Sequence, residues 1–155
     1  MRQLKALHQQ AKQGTLSLAD VKVYREACEQ LARSLVAAQR LPVDPTKPAR
    51  RTFRVAQGLQ VDLDLNRGRE RLMTQDVSCG GFAALMREAP GEKETPGFTL
   101  KLPGKAEPLI GRVKVTGSVA RPGSARVSFA FEGLTEKQLA DLELTLFDIV
   151  FSRMP

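Results

Sequence analysis

Along the second part of the chain, apolar side chains recur at every second position. Val61, Leu63 and Leu65 alternate with Asp62 and Asp64, Phe98 alternates with Leu100 and Leu102, Val113 with Val115, and Val127 with Phe129 and Phe131. A period of two puts one set of side chains on one face of a strand. Asn66-Arg67-Gly68, Pro90-Gly91, Pro103-Gly104 and Pro122-Gly123 punctuate these runs. Short strands separated by such turns predict an antiparallel sandwich or barrel. Asp62 and Asp64 share the strand face opposite the apolar one and are expected to face solvent.

The first part has a helical period. Leu4, Leu7 and Ala11 fall on one face of residues 2–13, and Gly14 breaks the run. His8 sits among glutamines in this helix and is expected to face solvent. Ser17, with Asp20 three residues on, resembles a capping box that starts a second helix running to about Arg40. Its Val21, Tyr24, Cys28, Leu31, Leu35 and Ala38 recur at alternating spacings of three and four, an a/d stripe suited to a helical hairpin or a dimer seam. A third helix is expected from about Thr135, where Thr135 and Gln138 make a capping box and Leu139, Leu142, Leu146 and Ile149 supply the buried stripe. Between the two parts, Leu41 to Ala49 carries three prolines, which lack the amide donor and restrict the preceding residue. The organisation read from these signals is a helical segment over 1–40, a linker over 41–49 and a β domain with a C-terminal helix over 50–155.

Composition narrows the function classes. The 155 residues carry a formal net charge of +7, which favours anionic partners without choosing among nucleic acid, nucleotide and membrane surface. The one Tyr and absence of Trp give little material for stacking bases. No apolar run approaches the ~20 residues that span a bilayer, so membrane insertion is not expected. The polar N-terminus does not read as a signal peptide, and a cytoplasmic location is the expectation. Two cysteines and one histidine do not make a standard structural zinc site.

Candidate chemistry gathers in two stretches. Arg50-Arg51-Thr52-Phe53-Arg54 places Arg50 and Arg54 four residues apart, and a guanidinium fork matches either a phosphate or the O6/N7 edge of guanine. A solvated basic face fits the same residues, and Arg67 and Arg71 repeat the spacing. In Asp76-Val77-Ser78-Cys79-Gly80-Gly81, a carboxylate can accept from guanine N1 and N2, and a hydroxyl can serve phosphate or base. Gly81 permits a positive φ or a backbone approach that a Cβ would block. A hairpin turn with Asp76 and Ser78 satisfying local amides fits equally well.

Together the stretches read RxxxR followed by DxSxxG, with alternating strands and a last helix after them. In this the chain resembles the PilZ domain family from about residue 50 to 150, and GFAALM and GSARVSFAFEGLTEKQLADLE are similar to that family's third strand and its last strand plus helix. The resemblance implies an α+β fold: a six-stranded antiparallel barrel with a C-terminal helix, here preceded by a helical hairpin. It also implies a receptor for the bacterial second messenger cyclic di-GMP, held by Arg50, Arg54, Asp76 and Ser78, with Gly81 shaping the turn. Arg51 lies inside the motif and adds charge without an assigned role. The implied partners are cyclic di-GMP as ligand and an unidentified effector protein, with a homodimer through the N-terminal helices as a further option. No cofactor or metal is implied. Enzymatic turnover is not expected, because neither His8 nor Cys79 has a catalytic neighbour in sequence. Two alternatives stand beside this reading: a PilZ-fold interaction module that binds no nucleotide, and a basic β-barrel that binds nucleic acid.

Overall fold

The computed structural model describes residues 2–41, 46 and 48–154. Helix α1 (Arg2–Gln13) and helix α2 (Leu18–Ala38) form the hairpin. Gly14 joins them with φ +71, and the Ser17 hydroxyl accepts from the Asp20 amide to start α2. Strands β1 (Gln60–Leu65), β2 (Gly68–Ser78), β3 (Gly81–Met86), β4 (Gly97–Leu100), β5 (Leu109–Arg121) and β6 (Ser124–Glu132) close into an antiparallel barrel in the order β1-β2-β3-β6-β5-β4. Helix α3 (Glu136–Ser152) follows, opened by the reciprocal Thr135–Gln138 capping box. Among the described residues, no helix is long and apolar enough to cross a membrane.

Alternation decides what fills the barrel. Val61, Leu63, Phe82, Phe98, Leu100, Val113, Val127 and Phe129 are buried, and the Phe82 and Phe129 rings lie 5.1 Å apart. Phe53 is fully buried against Phe147 of α3, with ring centroids 4.9 Å apart, which anchors the segment entering the barrel. Burying such a side chain contributes roughly 1.5–3 kcal/mol.

Two residues expected at the surface are buried. Asp62 is 8% exposed because β2 lies beside it: Arg71 donates to its carboxylate at 3.0 Å and Arg69 at 3.3 Å. Those bonds, Arg71's foremost, hold the Asp62 carboxyl below its usual range. Asp64 does face solvent. His8 is 1% exposed, since α1 packs on α3 as well as on α2 and the Phe151 ring meets it edge-on at 4.7 Å. Its Nδ1 lies 2.8 Å from the Tyr24 hydroxyl and its Nε2 3.2 Å from Asp148. A carboxylate only accepts, so Nε2 carries the proton and Nδ1 accepts from Tyr24. Burial lowers the pKa of His8, consistent with this neutral form.

The α2 stripe is rotated from its expected setting. Cys28, Ala32 and Val36 form the buried face, whereas Val21, Tyr24, Leu31 and Leu35 are half-buried and Ala38 is exposed. A spacing of four follows from packing between α1 and the segment after the linker, where an a/d seam would face one partner. Of the expected linker, residues 42–45 and 47 lie outside the described residues. At its end Ala49–Arg51 forms a 3-10 turn against α2, with the Ala49 amide donating to Glu29. Arg50 therefore sits in this turn, and β1 begins only at Gln60.

Candidate functional site

A shallow cleft of about 200 Å³ opens on the outer face of the barrel, lined by residues that include Arg54, Asp76, Ser78, Gly81, Thr116 and Ser128. Its rim depends on a β-bulge. The β2–β3 register moves from Thr74 opposite Ala84 to Asp76 opposite Ala83, leaving Gln75 as an extra residue. Thr74 points inward, so strict alternation would send Asp76 inward too. The bulge reverses the phase: Val77 is fully buried, and Asp76 and Ser78 face outward. A second bulge, at Thr116 of β5, borders the same cleft, and the Thr116 hydroxyl donates to the Ser128 carbonyl at 3.2 Å.

The floor is made of small residues. Gly81 and Ala83 of β3 and Ser128 and Ala130 of β6 are cross-strand neighbours there. Gly81 is needed for close approach and not for its φ, since a Cβ at this position would lie 1.8 Å from the Phe129 carbonyl oxygen. A floor of this kind admits a flat group to the backbone.

Arg54 reaches the rim through two backbone attachments. Its neighbour Val55 pairs with Val77, each amide donating to the other's carbonyl at 2.8 and 2.9 Å. The side-chain amide of Gln39, just beyond α2, accepts from the Arg54 amide at 2.9 Å and donates to its carbonyl at 2.6 Å. The end of the helical hairpin thus holds the backbone of a cleft residue.

Arg50 and Arg51 are placed elsewhere. Phe53 plugs the interior, and the two arginines before it turn toward the helices. Arg51 Nε donates to Glu143 of α3 at 3.3 Å, and Arg50 Nε lies 3.6 Å from the same carboxylate. Glu143 is only 17% exposed, and its pKa is raised by burial despite both arginines. The structure therefore brings Arg54, Asp76, Ser78 and Gly81 together and leaves Arg50 and Arg51 outside the cleft.

The cleft groups have protein partners. Arg126 of β6 donates to Asp76 at 2.6 Å and to the Gln75 side chain at 3.0 Å. Ser78 accepts from the Gly80 amide at 3.1 Å and so closes the turn, the local role open to it from sequence. Arg126, Gln39 and Thr116 escaped the sequence reading. Only Arg126 left a signal, being a basic residue two positions before Ser128 on the same strand face. Of the second arginine pair, Arg67 bonds to Glu70 and Arg71 to Asp62, away from the cleft. Burial pushes the Cys79 thiol up to about 12 and the Cys28 thiol up to about 11, which leaves both protonated and unreactive near neutrality.

The architecture is a closed antiparallel barrel with a polar outer cleft and a C-terminal helix. The PilZ domain model matches residues 48–148, and the chain belongs to that family. Among solved structures, the barrel is similar to the Bacillus subtilis inhibitor of motility MotI/DgrA (13% identity, TM-score 0.58, covering 66% of this chain and 51% of that one). It is also similar to the PilZ domain of Escherichia coli YcgR with c-di-GMP (17%, 0.54, covering 64% and 90%). K. pneumonia MrkH in its apo state is a further match (14%, 0.56, covering 72% and 53%). The matches span about half the length of the Bacillus and MrkH chains, and at these identities the likeness is one of fold. No curated protein matches the chain.

Proposed function

We propose that the chain is a cyclic di-GMP receptor that couples the level of this nucleotide to a partner protein. The observation that carries this reading is the convergence of Arg54, Asp76, Ser78 and the bare backbone of Gly81 on one cleft. The cleft has room for one base over its small-residue floor, with the rest of the nucleotide lying across the rim. In this assignment Asp76 accepts from guanine N1 and N2, Arg54 forks onto a phosphate or the O6/N7 edge, and Ser78 holds the turn beneath. The similar barrel of YcgR, solved with c-di-GMP, supports the choice of ligand.

Arg50 and Arg51 enter this reading as the coupling device. To reach the nucleotide they must leave Glu143, and that exchange alters the packing of the 3-10 turn between α2 and α3. Gln39 supplies a second link, from Arg54 to the end of α2. Residues 1–40 then serve as the output element, 41–49 as the connection and 50–155 as the receptor unit. The protein binds without turnover and works in the cytoplasm, where its two free cysteines suit a reducing compartment.

The second reading, an interaction module without nucleotide, draws on the partners already present: Arg126 on Asp76, and Glu143 on Arg50 and Arg51. Calorimetric titration of the full chain with cyclic di-GMP, beside a short single-stranded oligonucleotide, separates the readings. Saturable binding of the dinucleotide alone is expected. Heat from the oligonucleotide alone would make this a nucleic-acid binder, and no heat from either would leave the interaction module.

A further inference from the structure

A second cavity lies away from the barrel cleft. It is an open pocket of about 420 Å³ between the α1–α2 hairpin and α3, a size typical of small-molecule sites. Leu16, Val21, Leu144 and Phe147 supply apolar wall, and Arg25, Arg50, Arg51 and Glu143 meet along the same lining. Three guanidinium groups thus face one carboxylate.

Arg51 also pairs with Glu136 at 3.4 Å, so the cations left without a full partner are Arg25 and Arg50. Arg25 makes no ion pair or hydrogen bond with any described residue. The buried Nε of Arg50 lacks a hydrogen-bond partner, since its 3.6 Å separation from Glu143 is too long for one. An unsatisfied buried donor is costly, and an anion arriving beside it removes that cost. Glu143 does not serve both arginines fully, because Arg51 takes the shorter contact at 3.3 Å. The apolar wall beyond calls for a tail that replaces water there.

We infer that this cavity is a ligand site for a monoanionic amphiphile, a carboxylate head on an alkyl chain of medium length. The head sits between Arg25 and Arg50, and the chain lies along Leu16, Val21, Leu144 and Phe147. A concave space of this volume suits such a molecule better than a protein surface, whose interfaces are flat and several times larger. The site uses none of the cleft residues; it shares Arg50 with the proposed nucleotide coupling, and it is therefore tested without nucleotide.

The test is calorimetry and thermal unfolding of the full chain with dodecanoate below its micellar concentration. Acetate serves as the head-only control, and dodecyltrimethylammonium as the control of opposite charge. Saturable one-to-one binding of dodecanoate is expected, at least about 100-fold tighter than acetate, with the cationic amphiphile failing to compete. Arg25→Gln, an exposed change that leaves the fold intact, should weaken dodecanoate roughly tenfold. Leu144→Trp should fill the space and abolish binding, and Val21→Trp takes its place if that variant does not fold. Absent binding, equal binding of both amphiphiles, or an Arg25→Gln variant with unchanged affinity would each overturn the inference.

Discussion

The barrel cleft and the helical interface each hold arginines from one five-residue stretch, and they treat them in opposite ways. At the helical interface Arg50 and Arg51 lie half-buried against a desolvated carboxylate. At the cleft Arg54 is exposed, its backbone fixed by Gln39 and Val77 while its side chain is left to solvent. Phe53 enforces the division, because its fully buried ring leaves its neighbours on different sides of the chain. A guanidinium packed between elements of one chain stabilises what is already there, whereas one at a rim waits for something to arrive. Spacing along the sequence does not separate these two uses. Packing does.

The strongest way to break the comparison is to fill the cleft floor. Gly81→Ala puts a methyl group where the Phe129 carbonyl stands, so β3 or β6 must move. Overpacking of this kind costs about 1–3 kcal/mol, which for a chain of this size lowers the melting midpoint by roughly 2–12 °C. Gly80→Ala is the control, because the nearest atom to its added methyl is Ser78 Oγ at 3.6 Å. Equal melting of the two variants would show that the floor is loose and that its bare backbone is incidental.

The next effect is on binding. Arg54→Ala should weaken cyclic di-GMP by roughly ten- to a hundredfold, the loss of a charge-assisted contact of ~1.5–3 kcal/mol. Arg67→Ala, at a guanidinium held by Glu70 outside the cleft, should change affinity only through long-range charge that salt screens. Equal losses in the two variants would reduce the cleft to a generic basic surface.

These contrasts mark where the sequence was readable. The alternation of Val61, Leu63 and Leu65 and of Val127, Phe129 and Phe131 revealed strands, because one face of each meets the core. β2 was hidden, since Gly68–Ser78 carries Arg69, Glu70, Arg71 and Asp76 and its bulge breaks the period of two. Asp62 was misread for the same reason: the arginines that cover it belong to that hidden strand. His8 was misread although a signal existed, because it falls four residues after Leu4 on the same helical stripe. The partners of Arg50 and Arg51 were not legible at all. Glu143 lies 92 residues from Arg51, and only tertiary packing brings them together.

A smaller effect sharpens the comparison from the helical side. Glu143→Gln removes the carboxylate that holds Arg50 and Arg51. If those arginines serve the nucleotide, the competition for them ends and cyclic di-GMP affinity should rise about two- to tenfold, up to ~1.4 kcal/mol. Stability should fall at the same time by about 1–3 kcal/mol, because the half-buried guanidinium groups lose their partner. Lower stability with unchanged affinity would confine Arg50 and Arg51 to a structural role and leave Arg54 as the working arginine of the motif.

The smallest effect concerns pH. His8 is buried neutral, and burial sets its folded pKa below the ordinary 6.5, against the upward pull of Asp148. In the unfolded chain it titrates near that ordinary value. As pH falls through about 6.5 the unfolded state takes up a proton that the folded state resists, so stability declines until the folded pKa is passed. Of the groups facing the ring, Lys12 opposes its charging, Asp148 favours it, and Tyr24 stays protonated because burial raises its pKa. Glu143 has the opposite sign: its raised pKa gives stability present at low pH and lost as pH rises. The two trends offset each other in the unmodified chain, so the His8 contribution is read as a difference. His8→Gln should be less stable near pH 7 by about 1 kcal/mol, having lost a well-placed hydrogen bond. In urea unfolding the gap should narrow between about pH 7 and 5, because only the histidine chain resists a proton there. A gap that stays constant over that window would mean that His8 charges freely in the folded protein, and that the helical interface admits water as readily as the cleft.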